Sequence, residues 1–176
     1  MKPIKEYDLA NEAGEFKKLP AGIYGVRITD VIDVPDKEYL EVYCDIVKGE
    51  YAGYFKALVD AGQKNLSRHF RSYKANAIPF FKAFIKAIEK SNPGYEWDWD
   101  ESKLVGKVAI GVFGEEEYLD KDGNVKVGTK LQEFRSIEAY KEGKIKVPEL
   151  KKLERQPEQV APVADASAIS DDDLPF

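Results

Sequence analysis

The 176-residue sequence holds one cysteine, Cys44, and one histidine, His69. A single cysteine excludes an intrachain disulfide and any zinc site built on paired thiolates. A single histidine excludes the two-histidine metalloprotease motif. A Cys–His nucleophilic pair would require these two residues to meet. Cys44 lies in the strand-like run "YLEVYCDIV", where it reads as a small buried hydrophobe. There is no Gly-rich phosphate loop and no local signature of a Ser/His/Asp constellation, so the chain does not read as an enzyme. No run of eighteen apolar residues is present, which leaves no membrane-spanning helix to expect. "MKPIKEYDLANEAGEF" has no apolar core of a signal peptide, and a cytosolic compartment is expected.

A more local absence concerns acid. From Ala61 to Ile88 there is no Asp or Glu, while Lys64, Arg68, Arg71, Lys74, Lys82 and Lys86 all fall there. The formal charge of −5 hides this segregation. Residues 154–176 carry six carboxylates and one cation, leaving 26 cations and 26 carboxylates in residues 1–153. The excess acid therefore belongs to the tail, and the body is neutral with a basic stretch inside it.

Aromatic residues make up 12% and hydrophobic residues 43% of the chain, enough for one compact core. In "LPAGIYGVRITDVIDV", Tyr24, Val26 and Ile28 alternate with polar positions, a first strand. "VPDKE" turns the chain. "YLEVYCDIV" is a second strand with Leu40, Val42, Cys44 and Ile46 on one face, and "YFKALV" reads as a third. Leu66, Phe70 and Tyr73 in "QKNLSRHFRSYK" fit one helical face. "IPFFKAFIKAIEK" is a second helix, with Pro79 in its first turn and Phe80, Phe81, Phe84, Ile85 and Ile88 as a core stripe; Phe70 is also expected in the core. "VGKVAIGVF" and "LQEFRSIEAY" are strands four and five, joined through an Asp122-Gly123 hairpin turn.

The fold class expected is mainly β with helices: a five-stranded OB-type Greek-key barrel, a helical segment between strands three and four, and a disordered C-terminal tail. Trp97 and Trp99 read as plugs for an end of that barrel. The boundaries expected are a lead-in at 1–18, a binding domain at 19–145, a disordered linker at 146–168 and an acidic tip at 169–176.

"DKDGN" at 120–124 begins like a calcium loop, but its glycine is fourth rather than sixth and its twelfth position is Leu131 rather than Glu. Glu115, Glu116, Glu117, Asp120 and Asp122 read as a solvated loop, since consecutive acids on a strand point to alternating faces. No metal and no cofactor is expected.

Single-stranded nucleic acid is held by cations along its backbone and by aromatic faces under its bases. The candidates of that kind are Tyr24 and Arg27 on strand one, Tyr43 on strand two, and Tyr54, Phe55 and Lys56 on strand three. Phe134 and Arg135 on strand five join them. Lys64, Arg68, Arg71, Tyr73 and Lys74 form the basic helical track. For each strand aromatic the competing role is core packing, and for the cations it is a solvated face.

"ISDDDLPF", Ile169 to Phe176, resembles the acidic tip of bacterial single-stranded DNA-binding proteins. In that family the tip recruits replication and repair enzymes. The resemblance implies that Asp171, Asp172, Asp173, Leu174, Pro175 and Phe176 form a partner-binding peptide, the phenylalanine entering an apolar pocket and the aspartates meeting a basic rim. The body is unlike the cellular protein. "LPAGIYGVRITDV", "YLEVYCDIVKGEYAGYFK" and "LVGKVAIGVF" resemble small phage-encoded proteins of replication and recombination modules, over Leu19 to Lys141. That resemblance implies a phage protein acting in the cytoplasm of a bacterial host. It would bind single-stranded DNA, host replication, recombination or repair proteins and, as a candidate, further copies of itself. The alternatives are a strand-annealing recombination protein and an adaptor that uses the tip without binding DNA.

Overall fold

The protein is described by a computed structural model covering residues 17–154. The acidic tip and most of the expected linker lie outside the described residues. Five strands form one antiparallel sheet in the order β3-β2-β1-β4-β5. They are β1 (Gly22–Val34), β2 (Tyr39–Ile46), β3 (His69–Ser72), β4 (Val108–Leu119) and β5 (Val125–Arg135). Helix α1 (Tyr54–Asp60) lies between β2 and β3, α2 (Ile78–Ser91) between β3 and β4, and α3 (Ile137–Lys141) after β5. Among the described residues no helix is long and apolar enough to cross a membrane.

Central strand β1 serves two neighbours. Gly22–Arg27 pair with β4, and Val26–Val34 pair with β2, with an irregularity in register between Ile28 and Asp30. Such a bulge adds twist and lets one long strand change direction between partners. Strand β2 alternates without a break: Leu40, Val42, Cys44 and Ile46 are buried, and the residues between them are half-buried. This is the inside–outside pattern that its sequence predicts. Burial pushes the Cys44 thiol up to about 12, in keeping with a packing role.

The third strand is not where the alternation of "YFKALV" puts it. Those residues are α1, because Asp45 at the end of β2 reaches its first turn. The Asp45 carboxylate accepts from the backbone N–H of Phe55 and of Lys56, both at 3.0 Å. This satisfies orphan donors of a helix start from outside the helix. Phe55 thereby turns inward and stacks on Phe113 at 5.9 Å.

The segment "QKNLSRHFRSYK" is correspondingly not a helix. Its spacing of Leu66, Phe70 and Tyr73 competes with a two-residue alternation, and pairing with β2 decides for the strand. Ser67 is fully buried; its hydroxyl accepts from Cys44 N–H (3.1 Å) and donates to Asn65 Oδ1 (2.6 Å). A side chain thus prolongs the edge of β2 where the β3 ladder has not yet begun.

Helix α2 lays Phe84, Ile85 and Ile88 on the sheet. Phe80, expected in the core, is 70% exposed, since it lies about a quarter-turn off that stripe. The paired tryptophans differ in burial: Trp97 packs on Phe81 (ring centroids 6.2 Å), whereas Trp99 is 81% exposed. Their two-residue spacing does not keep one face because Trp99 has a left-handed backbone, φ 69°. Strand β5 starts at Val125 and ends at Arg135, where Ser136 caps α3 by accepting from Ala139 N–H. The 120–124 turn is closed by Asp120, whose Oδ1 accepts from Asp122 and Asn124 N–H, with Gly123 at φ 80°.

Beyond α3 the chain returns to the sheet. Lys151 N–H donates to Glu115 O, and Glu117 N–H to Lys151 O, both at 2.9 Å. This segment falls within the expected linker and covers the edge of β4 where that strand runs past the end of β1.

Asn92 fastens the end of α2 to the start of β4. Its amide donates to Ile88 O (2.7 Å) and Val108 O (2.8 Å), and its oxygen accepts from Val108 N–H (3.0 Å). Net contributions of about 0.5–1.5 kcal/mol per bond predict that Asn92→Ala lowers unfolding free energy by about 2 kcal/mol or more. A urea titration followed by far-UV circular dichroism measures this.

Candidate nucleic-acid interface

The short strand β3 sets the geometry. Its pairing places His69 opposite Val42 and Arg71 opposite Leu40, and puts Phe70 opposite Glu41. Cross-strand partners share a face, so His69 and Arg71 face inward with the buried Val42 and Leu40. Phe70 faces outward, 48% exposed. The outward face of β2 and β3 is aromatic: the Phe70 ring meets Tyr39 edge-to-face at 5.1 Å. The Arg68 guanidinium lies over Phe70, 4.9 Å from its centroid.

This face opens into a cleft of about 1060 Å³ between residues 65–70 and the β4–β5 hairpin. One wall carries Leu66, Arg68 and Phe70, and the other Tyr118, Lys130 and Gln132. Lys18 and Lys151 complete its rim. Tyr118 lies against Gly128, where an added Cβ would stand 3.1 Å from the ring. The cations, each at least half exposed, pair with carboxylates that are more covered: Lys18 with Glu115, Lys130 and Lys151 with Glu116, and Arg68 with Glu41 at 3.9 Å. Pairs whose cation stays in water are worth about 0–1 kcal/mol, so these cations can turn to a phosphate at low cost. Among the described residues no group of three or more His, Cys, Asp or Glu is placed to hold a metal ion.

The residues singled out in the sequence divide three ways. Arg68 and Tyr54 line the cleft, Tyr54 with its hydroxyl accepting from Leu19 N–H. Arg27, Lys64 and Lys74 are exposed on the body, and Lys56 is exposed on α1 in a pair with Asp60. Tyr43 is half-buried on the outward face of β2, its hydroxyl on Glu41. Arg135 pairs with Glu133 on the far end of β5.

The rest face inward or pack locally. Phe55 and Phe134 are core residues; Phe55 also closes the floor of the cleft. Tyr24 packs edge-to-face on Tyr51 and Phe113 and donates to Pro20 O. Tyr73 donates to Asp33, which pushes its hydroxyl up to about 12. Arg71 does not join a solvent-facing track with Arg68. It lies between the Phe84 and Phe134 rings, and burial lowers its pKa to about 10 against the opposing charge of Glu133.

Sequence reasoning missed Lys18, Leu66, Tyr118, Lys130 and Lys151, and assigned Phe70 to the core. The alternation His69–Phe70–Arg71–Ser72 is the signal that exposes Phe70. Nothing local brings Lys18, Lys130 and Lys151 together; the fold does. No protein-family model matches the chain, and no curated protein matches it.

His69 spans the gap between outer strands β3 and β5: its Nδ1 donates to Leu131 O at 2.8 Å, and its ring meets Phe134 at 5.6 Å. Burial, and then the neighbouring Arg71 charge, lower its pKa from 6.5 to about 4. The folded state thus binds fewer protons than the unfolded chain between these values, and stability falls as pH drops through the window. The expected loss between pH 7 and 4 is about 3 kcal/mol at most. His69→Gln is expected to flatten that part of the stability–pH curve, as read from denaturant melts at pH 7, 5.5 and 4.5.

Proposed function

We propose that the chain is an OB-type barrel protein that binds and protects single-stranded DNA during phage replication or recombination, and recruits host enzymes through residues 169–176. Closing the sheet at the β3–β5 gap, where His69 reaches Leu131, would give a five-stranded Greek-key barrel. In such barrels the outer face of strands two and three, with the one–two and four–five loops, binds oligonucleotides. The cleft lies between that face and the four–five hairpin.

The observation that carries the reading is the pairing of Arg68 with the outward Phe70 at the rim of this cleft. Bases need a ring face and phosphates need a mobile cation, and both are offered at one point. Lys18, Lys130 and Lys151 continue the cationic rim. The inward Phe134 and Arg71 support the β3–β5 side from within and do not touch the strand. The peptide Asp171–Phe176 supplies the partner-recruiting part by its resemblance alone.

Anisotropy of labelled oligo-dT and of duplex, titrated with salt, tests the proposal. Preference for the single strand and a steep salt slope are expected. Phe70→Ala is expected to cost about 1–3 kcal/mol, the worth of one stacked base, with an unchanged slope. Arg68→Ala and Lys130→Ala should each reduce the slope. Binding that ignores all three substitutions overturns the site, and no binding at low salt overturns the function. Deletion of 169–176 is expected to leave oligo-dT affinity in place and to abolish capture of a host repair helicase or recombination mediator. Capture that persists after deletion removes the recruiting role.

A further inference from the structure

The most exposed aromatic ring in the described chain lies away from the cleft. Trp99 is 81% exposed and left-handed at φ 69°, a conformation that costs a bulky residue about 1–3 kcal/mol. The loop is nonetheless well fixed. Asp98 and Asp100 both pair with Lys103, and Asp100 also accepts from Ser102 N–H and hydroxyl. Trp97, just before it, is tied to α2 by its N–H to Glu89 and by its ring against Phe81. Trp99 rests partly on Trp97, at 6.1 Å between rings, and is otherwise in water.

The charge around this ring is one-sided. Residues 96–103 carry Glu96, Asp98, Asp100 and Glu101 against Lys103 alone, a surface that repels phosphate and suits a cationic partner. The adjoining flank of α2 is net cationic, with Lys82 and Lys86 against Glu89. Ile78, Lys82 and Glu89 fall on one side of the helix by their four- and seven-residue spacing, the same side to which Trp97 is tied. Ile78 is exposed. Lys86 on this flank pairs with Glu89, while Lys82 pairs with no described carboxylate. An acidic loop with an apolar knob thus adjoins a basic helix flank with an exposed isoleucine.

Two such halves on one face are self-complementary under a two-fold axis, where each half meets its opposite in the other copy. We propose that this face is a self-association surface, with Trp99 of each copy seated on Ile78 and Lys82 of its partner. The ring gains apolar contact and a cation–π interaction, for which tryptophan is the best side chain. The carboxylates around it gain the partner's lysines. Tryptophan at a small, charge-flanked contact is the usual energetic anchor of an interface. The patch is narrow, so the dimer is expected to be weak and salt-sensitive, and it leaves the cleft of each copy open.

Sedimentation equilibrium of the full chain without nucleic acid, over a concentration series at low and high salt, is the test. A concentration-dependent dimer at low salt that weakens at least tenfold at high salt is expected. Trp99→Asn, which keeps a residue tolerant of the left-handed backbone, should return a folded monomer by circular dichroism. Lys82→Glu and the double change Glu96→Lys with Glu101→Lys, which leaves the Asp98 and Asp100 bonds of the loop in place, should each weaken the dimer, and their combination in one chain should restore it. A wild-type monomer throughout, a dimer indifferent to Trp99→Asn, or charge changes without mutual rescue overturns the proposal. Loss of oligo-dT affinity in Trp99→Asn, with association unchanged, overturns it in favour of a base-stacking role. The cleft substitutions are read independently, since no nucleic acid enters the sedimentation runs.

Discussion

The carboxylate of Asp45 is the constraint on which the rest of the arrangement turns. It stands at the end of β2 and takes up the N–H groups at the start of α1. Without it, residues 54–59 have the composition of a strand and every reason to pair. With it, they coil, Phe55 goes to the core, and the place beside β2 stays vacant for a later segment. That segment is His69–Ser72, and its short ladder decides which of its side chains see solvent. The outward Phe70 beneath Arg68, and the inward Arg71 between two phenylalanines, both follow from a cap made by a residue 25 positions before Phe70.

This cap also marks the limit of reading the sequence. Where structure is decided locally, the pattern speaks directly. The alternation of β2, the apolar stripe of α2 and the Asp122-Gly123 turn are each visible in a few residues. Where it is decided by a distant group, the pattern misleads. "YFKALV" alternates acceptably for a strand, and "LSRHFRSY" satisfies a helical spacing and a strand spacing together. Only the hydrogen bonds of Asp45 with α1 and of Ser67 with β2 discriminate.

The candidate interface follows the same division. Arg68 is conspicuous in a stretch without acid, and the outward position of Phe70 follows once β3 is recognised. Lys18, Lys130 and Lys151 have no common local signal, because they come from three separate parts of the chain. Two of the aromatic residues that composition recommends, Phe55 and Phe134, are instead core residues, Phe55 closing the cleft floor and Phe134 backing His69. An aromatic count cannot tell a platform from its support. The pleat of the strand can, once its register is known.

The double pairing of β1 has a consequence in time. Its hairpin with β2 joins neighbours in sequence and can close in microseconds. Its other edge waits for β4, because Arg27 pairs with Val108, 81 positions later. At a synthesis rate of about 5–20 residues per second, that edge stays without its partner for roughly 4–16 s. During translation the nascent chain therefore carries an open ladder on the strand that will become the centre of the molecule. The mature fold buries the very surface that is longest exposed while it is being made.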